Sequence, residues 1–489
     1  MKVLFINPST SRYTRSVTAP LGLLSIASYL ESKGHIVKIY DRTVDKTELD
    51  DIINAFNPGI VGVSMISYKS ISDTICLGRK LKKKEIKVVV GGPLASAISD
   101  AVMEYPFVDA VSIGEGEETW LEIVENLEND VSDFSAIKGL IIRDKDNKPF
   151  FTGERDFIDL ATLPPINWNL VDTPKYFQSM YGCKKMLYLY SAKGCPHSCT
   201  FCYNKDFHKC TYRKRPLSVL LDEIKHLVTT YGMDGVYFAD ELWCRNKAEM
   251  REICTQLKNL NLDFVWGCQT RIGLFNKEDF IYMHECGCRW VFFGIESGSP
   301  DILKKINKKI NYEKIIETFS DCKEADIACV GSFIAGFPGE TTDDLKQTVE
   351  LINKLNTKLI NLNYLVVVPG SDLYKDLVAS GRYAEIKHLD EFIKKSPMEK
   401  LEYNFSDIPD IDIKVIRAYY MWRSFLADDV PGTKKFGFAR KVITDAVKSV
   451  KTGELLPFVV SIWSAGIEFL RIAYYANFFP SIKKKYIEK

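Results

Sequence analysis

The stretch KGCPHSCTFCYNK, residues 193–205, holds three of the chain's 13 cysteines within eight positions. The three are Cys195, Cys199 and Cys202. Thiols this close together favour a metal or redox site, because proteins in a reducing compartment do not build their folds on disulfides. The stretch lacks a fourth cysteine at similar spacing, so the kind of metal centre depends on what completes the site.

A structural zinc ion and a four-iron cluster both fit three close thiols. A structural zinc ion takes four protein ligands, and the fourth would have to be one of three nearby residues: Cys210, His197 or His208. A four-iron cluster can be held by three thiolates, which leaves one iron open. A small molecule can then bind directly to that iron. The stretch alone leaves both centres open and favours the cluster.

The length and charge of the chain restrict its architecture and its partners. With 489 residues, it exceeds one ordinary hydrophobic core, so two or three domains are expected. Lys and Arg number 65 against 64 Asp and Glu. No overall charge therefore attracts nucleic acid, and we expect no nucleic-acid partner. The start, MKVLFINPST, has an apolar run too short for a signal peptide, so we expect a cytoplasmic protein.

The first 130 residues alternate between short apolar strands and helical periods. KVLFINPS, HIVKIYD, GIVGVSM, KVVVGGP and VDAVSIG predict strands, and the segments between them predict helices, including one over residues 95–105. This alternation predicts an α/β fold: a doubly wound, Rossmann-like parallel sheet that binds ligands at the carboxyl ends of its strands. We divide the chain into this domain at 1–135, a linker at 136–180, a second α/β domain at 181–380 and a helical domain at 381–489.

The cysteine stretch resembles the C-x3-C-x2-C motif of the radical S-adenosylmethionine (SAM) enzymes, including the aromatic Phe201 before the last cysteine. Further motifs of that family follow in order between Met186 and Tyr374: VYFADELW, WGCQTRIG, VFFGIESGS, GSFIAGFPGET and VPGSDLY. Each match alone is weak, because polar residues and glycines commonly occupy strand ends and turns. Together and in order, they resemble the family closely and imply its partial (βα)6 barrel. One departure is Ser371, where the family has a threonine.

The resemblance implies a role for each motif. Cys195, Cys199 and Cys202 would bind a [4Fe-4S] cluster, and its open iron would be chelated by the amino and carboxylate groups of SAM. The remaining SAM-binding residues would be Asp240 and Glu241 at the amino group, Gln269 and Arg271 near the carboxylate, Glu296 with Ser297 near the ribose, and Gly336 and Pro338 against the adenine. An electron donor such as a flavodoxin or ferredoxin would reduce the cluster, and a 5'-deoxyadenosyl radical would then attack the substrate. No residue is assigned to catalysis on the substrate.

A doubly wound domain ahead of a radical SAM barrel resembles the cobalamin-binding subfamily. The supporting residues follow predicted strands: Gly91 and Gly92 in GGP, and Gly114, Glu115 and Gly116 in GEGE. Glycines there would let the backbone approach a flat ligand, although they would equally serve to turn the chain. The region NPSTSRYTRS holds no His to ligate cobalt from below, and Leu94 and Ala95 stand where relatives often carry one. We expect cobalamin without a lower His ligand.

The resemblance leaves several functions open. Methyl transfer to an unactivated carbon, or to phosphorus, of a small-molecule or apolar substrate is favoured. A radical cyclisation or rearrangement, as in the porphyrin-ring cyclases, is the alternative, and a cobalamin or iron–sulfur sensor is the non-enzymatic one. A tRNA methylthiotransferase is rejected, because residues 1–182 contain only Cys76 and the C-terminal region is predicted to be helical. Most of the remaining cysteines between Cys183 and Cys329 are expected to be small buried residues.

The segment 455–489 carries a long apolar stretch that ends in three lysines at 483–485. Glu468 and Arg471 interrupt the stretch, and a charge at mid-membrane costs about 2.5–3.5 kcal/mol, so a spanning helix is not expected. A helix packed in the core is favoured. The alternative is an interfacial helix with its lysines on anionic lipid, which would give peripheral membrane contact and suit a lipid-like substrate.

Overall fold

The computed structural model describes residues 1–10, 17–390, 403–425, 474–475 and 479–487. The chain divides into two compact units, and each unit is made of several chain segments. The N-terminal unit consists of Met1–Phe177, Lys193–Ile224 and Val367–Ser396. The barrel unit consists of Gln178–Ala192, Lys225–Val366 and Pro397–Lys489. The cysteine stretch therefore belongs to the N-terminal unit.

The strands and helices are numbered in chain order. The strands are β1 Lys2–Asn7, β2 Ile36–Asp41, β3 Ile60–Ser64, β4 Val88–Gly91, β5 Ala110–Ser112, β6 Leu140–Arg143, β7 Pro149–Phe151, β8 Met186–Leu189, β9 Ala192–Lys193, β10 Arg213–Lys214, β11 Gly235–Phe238, β12 Val265–Thr270, β13 Cys288–Glu296, β14 Ala328–Ala335 and β15 Ile360–Tyr364. The helices are α1 Leu21–Ser32, α2 Leu49–Phe56, α3 Ile71–Lys82, α4 Pro93–Ala97, α5 Ser99–Met103, α6 Glu117–Glu128, α7 Asn204–Phe207, α8 Leu217–Tyr231, α9 Lys247–Asn259, α10 Lys277–Glu285, α11 Pro300–Lys305, α12 Tyr312–Glu324, α13 Thr342–Lys354, α14 Asp372–Ala379, α15 Asp410–Phe425 and α16 Pro480–Tyr486.

The N-terminal unit is built on a seven-stranded sheet in the order β2-β1-β3-β4-β5-β6-β7. Strands β1 to β5 are parallel, which confirms the predicted doubly wound α/β fold. The apolar run VLFI of β1 and all five residues of β3 are buried, as expected for parallel strands that are covered on both faces. The carboxyl ends of these strands share one edge of the sheet, where the predicted cobalamin residues lie.

The segment 136–180, predicted as a linker, adds two strands to this sheet. β6 runs antiparallel to β5, and β7 runs antiparallel to β6. All three residues of β7 are exposed, so this short outer hairpin carries little of the apolar pattern that marks a strand. The helix predicted over 95–105 is two short helices, α4 and α5, because the backbone departs from helical geometry at Ile98.

The barrel unit holds six parallel strands in the order β15-β14-β13-β12-β11-β8. Neighbouring strands pair in parallel along the whole sheet, and this order confirms the predicted partial barrel. Capping boxes start two of the connecting helices: Asn276 with Asp279 begins α10, and Thr341 with Asp344 begins α13. In each box the two residues exchange side-chain and backbone hydrogen bonds. These boxes fix where the loops at the carboxyl edge end.

Two helices, α15 and α16, lie in the described part of the C-terminal region, and residues 381–388 and 403–409 are not helical. Within the barrel unit, Lys485 Nζ and Tyr486 Oη each donate a hydrogen bond to Asp412 Oδ2 at 2.7 Å. Ile482 and Tyr486 are buried. Most of the segment 455–489, including its apolar stretch, lies outside the described residues. None of the helices that the structure describes is long and apolar enough to cross a membrane.

We predict that Gly92→Ala strongly destabilises the N-terminal unit. Gly92 has φ +109°, a backbone conformation almost restricted to glycine, and an added Cβ would lie 2.9 Å from the carbonyl oxygen of Met65. We expect a loss of about 3 kcal/mol, measured as a lower thermal unfolding midpoint.

Gly22→Ala is the matched control for this substitution. Gly22 lies in α1 with no atom within 4 Å of an added Cβ, so alanine should raise stability by about 0.5 kcal/mol. Equal midpoints for the two variants would contradict the assigned strain at Gly92.

Candidate active site

The cysteine stretch is shaped by one buried amide side chain, that of Asn204. Its Oδ1 accepts a hydrogen bond from the N–H of Cys195 at 3.0 Å. Its Nδ2 donates to the carbonyl oxygens of Cys195 at 2.6 Å and of His197 at 3.2 Å. Asn204 is only 1 % exposed, so these bonds are shielded from water and define the loop that presents the thiols. In the sequence, this role is marked only by a polar residue close to the last cysteine.

The three thiols of this loop are half-buried, and the N–H of Cys202 donates to the carbonyl oxygen of Cys199 at 3.1 Å. No group of three or more His, Cys, Asp or Glu side chains among the described residues is arranged to hold a metal ion. The three thiolates of a four-iron cluster bind three different iron atoms. Unlike the ligands of one ion, they need not converge on a single point.

The cysteines described in the barrel unit are buried, as predicted, whereas Cys210 of the N-terminal unit is half-buried; the buried ones are Cys183, Cys244, Cys254, Cys268, Cys286, Cys288, Cys322 and Cys329. Burial raises the pKa of Cys183 to about 12 and also raises the pKa of Cys268 well above its ordinary value. Only the thiolate form of cysteine is a good metal ligand or nucleophile. Burial therefore keeps these two side chains as neutral packing groups, in contrast to the half-exposed thiols of the cysteine stretch.

Asp240 follows β11, and its carboxylate accepts three hydrogen bonds within the barrel unit. Oδ1 accepts from the N–H of Ser191 at 2.7 Å and of Ala192 at 2.9 Å, and Oδ2 accepts from Ser191 Oγ at 2.6 Å. Burial raises the pKa of Asp240 to about 7, although these hydrogen bonds act to lower it. The side chain thus fixes the chain just before the cysteine stretch, a role that its predicted contact with SAM did not include.

Glu241, Gln269 and Arg271 lie at the same carboxyl edge of the barrel sheet. Glu241 follows β11, Gln269 is near the end of β12, and Arg271 comes directly after it. All three side chains are partly exposed. The backbone beneath them is fixed, since the N–H of Trp243 donates to the carbonyl oxygen of Gln269 at 3.0 Å. Contact of these three side chains with SAM stays a prediction.

Glu296 ends β13 in an unusual backbone conformation. Its φ is +72°, which costs a non-glycine residue about 1–2 kcal/mol, and it adjoins an irregularity in the pairing of β13 with β14. Its Oε1 accepts a hydrogen bond from Lys308 Nζ at 2.7 Å, and both side chains are about one-tenth exposed or less. The predicted contact with ribose therefore involves a carboxylate that is already paired with a lysine.

Ser297 and the glycine-rich segment after β14 are held by buried polar contacts. Ser297 Oγ lies 3.2 Å from Thr348 Oγ1. The N–H groups of Gly336 and Phe337 donate to Glu340 Oε2 at 2.7 and 3.0 Å. Burial raises the pKa of Glu340 to about 7, against the lowering effect of these donors. Glu340 was not among the predicted residues, and it shapes the turn that carries Gly336 and Pro338.

The predicted cobalamin residues lie at the carboxyl edge of the N-terminal sheet. Gly91 and Gly92 end β4, and Gly114, Glu115 and Gly116 connect β5 to α6. An added Cβ at Gly114 would meet no atom within 4 Å, whereas one at Gly116 would lie 2.7 Å from Ile26 Cδ1. A side chain at Gly116 would therefore press on the flexible end of Ile26, whereas the space at Gly114 is open. The carboxylate of Glu115 forms an ion pair with Arg213 at 2.6 Å.

Comparison with known proteins extends this description. A family model described as the radical SAM superfamily matches residues 189–352, and one described as a B12 binding domain matches residues 12–124. Together the two span more than half of the chain. These matches confirm the predicted cofactors, a [4Fe-4S] cluster, SAM and cobalamin, at the level of the two domains.

Several proteins of known name are similar over most of their length. An uncharacterized methyltransferase of Pyrococcus horikoshii is 28 % identical over 88 % of this chain and 95 % of its own. The cytidylyl-2-hydroxyethylphosphonate methyltransferase of Streptomyces wedmorensis is 27 % identical over 78 % of this chain and 82 % of its own. The anaerobic magnesium-protoporphyrin IX monomethyl ester cyclase of Rubrivivax gelatinosus is 25 % identical over 87 % of this chain and 78 % of its own.

A solved structure supports the fold. The radical SAM methyltransferase TsrM of Kitasatospora setae superposes with a TM-score of 0.67 at 18 % identity, over 78 % of this chain and 76 % of its own. The two matching domains, their order and this shared architecture define one class of protein. The chain belongs to the cobalamin-binding radical SAM enzymes, as its sequence motifs predicted.

We predict that Asp240→Ala strongly lowers the stability of the protein, whereas Asp240→Asn does not. Alanine leaves the N–H groups of Ser191 and Ala192 without their acceptor, which should cost about 3 kcal/mol and lower the thermal midpoint at every pH. Asparagine keeps an acceptor oxygen for both N–H groups, and its amide can donate to Ser191 Oγ. It should fold normally.

The pH dependence of the asparagine variant gives a second measurement. Since the folded-state pKa of Asp240 is raised, the wild-type protein holds a proton that its unfolded chain loses first. Its stability relative to Asp240→Asn should fall between about pH 4 and about pH 7 and then level off. A stability difference that stays constant between about pH 4 and about pH 7 would mean that Asp240 is ionised in the folded protein over that range.

Proposed function

We propose that this chain is a methyltransferase that moves a methyl group from SAM to an unactivated carbon, or to phosphorus, of a small-molecule substrate. The observation that carries the proposal is the grouping of chain segments. The cysteine stretch belongs to the same compact unit as the segment that matches the B12 binding domain. A methyl transfer through cobalamin needs the cluster and the corrin in one organised region.

The cysteine stretch supplies the cluster ligands in this proposal. Cys195, Cys199 and Cys202 would hold the [4Fe-4S] cluster on the loop that Asn204 braces. When bound, the cluster and SAM supply a 5'-deoxyadenosyl radical, and cobalamin supplies the methyl group. The hydrogen bonds of Asn204 go to backbone atoms of Cys195 and His197, so none of them involves a cysteine Sγ atom.

The barrel unit would bind SAM at the carboxyl edge of its sheet. Arg271 would pair with the SAM carboxylate, and Glu241 would accept hydrogen bonds from its amino group. Gln269 would add a polar contact between them. The turn at Gly336 and Pro338 is fixed by Glu340, which suits a backbone surface against the adenine. In this assignment Asp240 and Ser297 act by positioning, through the neighbours that they bind.

Cobalamin would bind at the carboxyl edge of the N-terminal sheet, near Gly91, Gly92 and Gly114. The sequence of residues 1–135 has one His, His35, which precedes β2 at the opposite edge of the sheet. The cobalt would therefore carry no lower His ligand. An electron donor such as a flavodoxin or ferredoxin would reduce the cluster. Peripheral membrane contact through the lysines at 483–485 has weak support, because Lys485 pairs with Asp412.

We predict that cluster binding depends on the three cysteines of the stretch. The variant with Cys195, Cys199 and Cys202 all changed to alanine should lose nearly all iron and sulfide after anaerobic reconstitution, and it should not cleave SAM. Cys210→Ala is the matched control in the same loop, since its thiol donates only to the carbonyl oxygen of His197. Wild-type iron content in the triple variant would overturn the assignment, whereas loss in the control alone would point to Cys210.

The second prediction separates methyl transfer from rearrangement. Reduced protein with cobalamin and SAM carrying a labelled methyl group should release S-adenosylhomocysteine, and a full turnover should also release 5'-deoxyadenosine. The cyclase relative keeps a ring cyclisation as the alternative, and that reaction would give 5'-deoxyadenosine without S-adenosylhomocysteine. A sensor would give neither product. The quantities of the two nucleosides and the position of the label decide among the three.

A further inference from the structure

Two strands at the base of the cysteine stretch each carry a half-buried cation that pairs with glutamates of the N-terminal domain. β9 ends with Lys193 and β10 begins with Arg213, and the two strands pair as a small sheet. Lys193 Nζ donates to Glu117 Oε1 at 3.0 Å and lies 3.3 Å from Glu115 Oε1. Both glutamates come from the loop that follows β5 and from the start of α6. Four charged residues thus meet at the two ends of the loop.

The contact with Arg213 is bidentate. Its two terminal nitrogens donate to the two oxygens of Glu115 at 2.9 and 2.6 Å. One of them also donates to the carbonyl oxygen of Ile158 at 3.0 Å, and the guanidinium lies 4.2 Å from the ring centre of Phe157. A planar fork on a carboxylate fixes both distance and direction. Arg213 therefore holds its strand in one orientation.

The position of Glu117 is fixed by a second hydrogen-bond partner besides Lys193. Ser25 Oγ, on α1, donates to Glu117 Oε1 at 2.6 Å. The side chains of Glu117 and Glu115 are 3 % and 9 % exposed, and those of Lys193 and Arg213 are each 18 % exposed. Charges this deeply buried interact strongly and are little screened by salt. The set Glu115, Glu117, Lys193 and Arg213 is called the loop clamp here.

The backbone leaves little freedom between the clamp and the first cysteine. Gly194, between Lys193 and Cys195, has φ +82°, and an added Cβ would lie 2.4 Å from the carbonyl oxygen of Thr211. Lys193 is only two residues from Cys195, so its position and its charge both act on the start of the loop. Neutralising either a glutamate or a basic residue of the clamp changes the electrostatic potential near the thiols.

We propose that the loop clamp is the means by which the cobalamin-binding domain holds the cysteine loop and sets the reduction potential of its cluster. The proposal rests on the cysteines as cluster ligands but not on the reaction that the enzyme performs. Glu115, Glu117, Lys193 and Arg213 are positioning residues, since none of them needs to contact SAM or substrate. Removing a negative charge near the cluster makes its reduction more favourable and raises its reduction potential. Removing a positive charge has the opposite effect.

The test uses the full-length reconstituted protein and a redox titration of its cluster followed by electron paramagnetic resonance. Glu117→Gln should raise the midpoint potential, and Lys193→Met should lower it. Glu118→Gln is the matched control, because Glu118 is adjacent in sequence but pairs with Arg155, outside the clamp. It should keep the wild-type potential. Shifts of the same sign for Glu117→Gln and Lys193→Met, or no shift beyond the control, would overturn the electrostatic role.

Hydrogen exchange on the full chain without cofactors tests the holding role separately. Peptides that cover residues 193–214 should exchange at least tenfold faster in Glu115→Gln than in Glu118→Gln. The charge-swapped protein with Glu115→Arg and Arg213→Glu should recover part of the protection that each single change removes. Unchanged exchange in Glu115→Gln would overturn the clamp. This readout does not depend on methyl transfer, so its failure is distinct from failure of the proposed function.

Discussion

The backbone N–H groups beyond the carboxyl ends of the barrel strands are the constraint that organises this part of the structure. The loops at a ligand-binding edge do not form the regular hydrogen bonds of a sheet. Their buried backbone N–H groups still need hydrogen-bond acceptors. Carboxylates meet that need: Asp240 accepts from Ser191 and Ala192, and Glu340 accepts from Gly336 and Phe337. Both carboxyl groups have a raised pKa because burial opposes their charge. The conformation of this edge thus depends on acidic side chains that accept hydrogen bonds from backbone N–H groups.

The sequence predicted the parts of the molecule that have strong local patterns. Apolar strands alternating with helices indicated both parallel sheets, and the resemblance of the cysteine stretch and the ordered motifs to a known family implied the cofactors. It did not predict the hairpin β6–β7, whose outer strand is exposed. It also did not predict Asn204 or the partners of Glu115, because those roles arise from residues that meet only in the folded chain. Local sequence patterns identify helices and strands, whereas the role of a side chain depends on its contacts in the folded chain.

The residues shared by the two matching domains do not specify a substrate. The relatives include a methyltransferase named for a phosphonate nucleotide and a cyclase named for a porphyrin ester, on what is broadly one architecture. A fold can host several reactions because the reacting groups come from the cofactors and from variable loops. In this chain the cysteine loop is held by the hydrogen bonds of Asn204, and its two ends carry the ion pairs of the loop clamp.

The division of the chain into interleaved units has a consequence for its biosynthesis. Ile386 and Leu389 are buried in the same apolar core as Leu4 and Val61 of the N-terminal sheet. A ribosome delivers these two side chains only after the whole barrel sheet has been made. Domains generally form as units while synthesis proceeds, but here the first sheet must wait, with part of its core exposed, for residues almost four hundred positions later. A nascent chain of this protein would depend on chaperones during that interval.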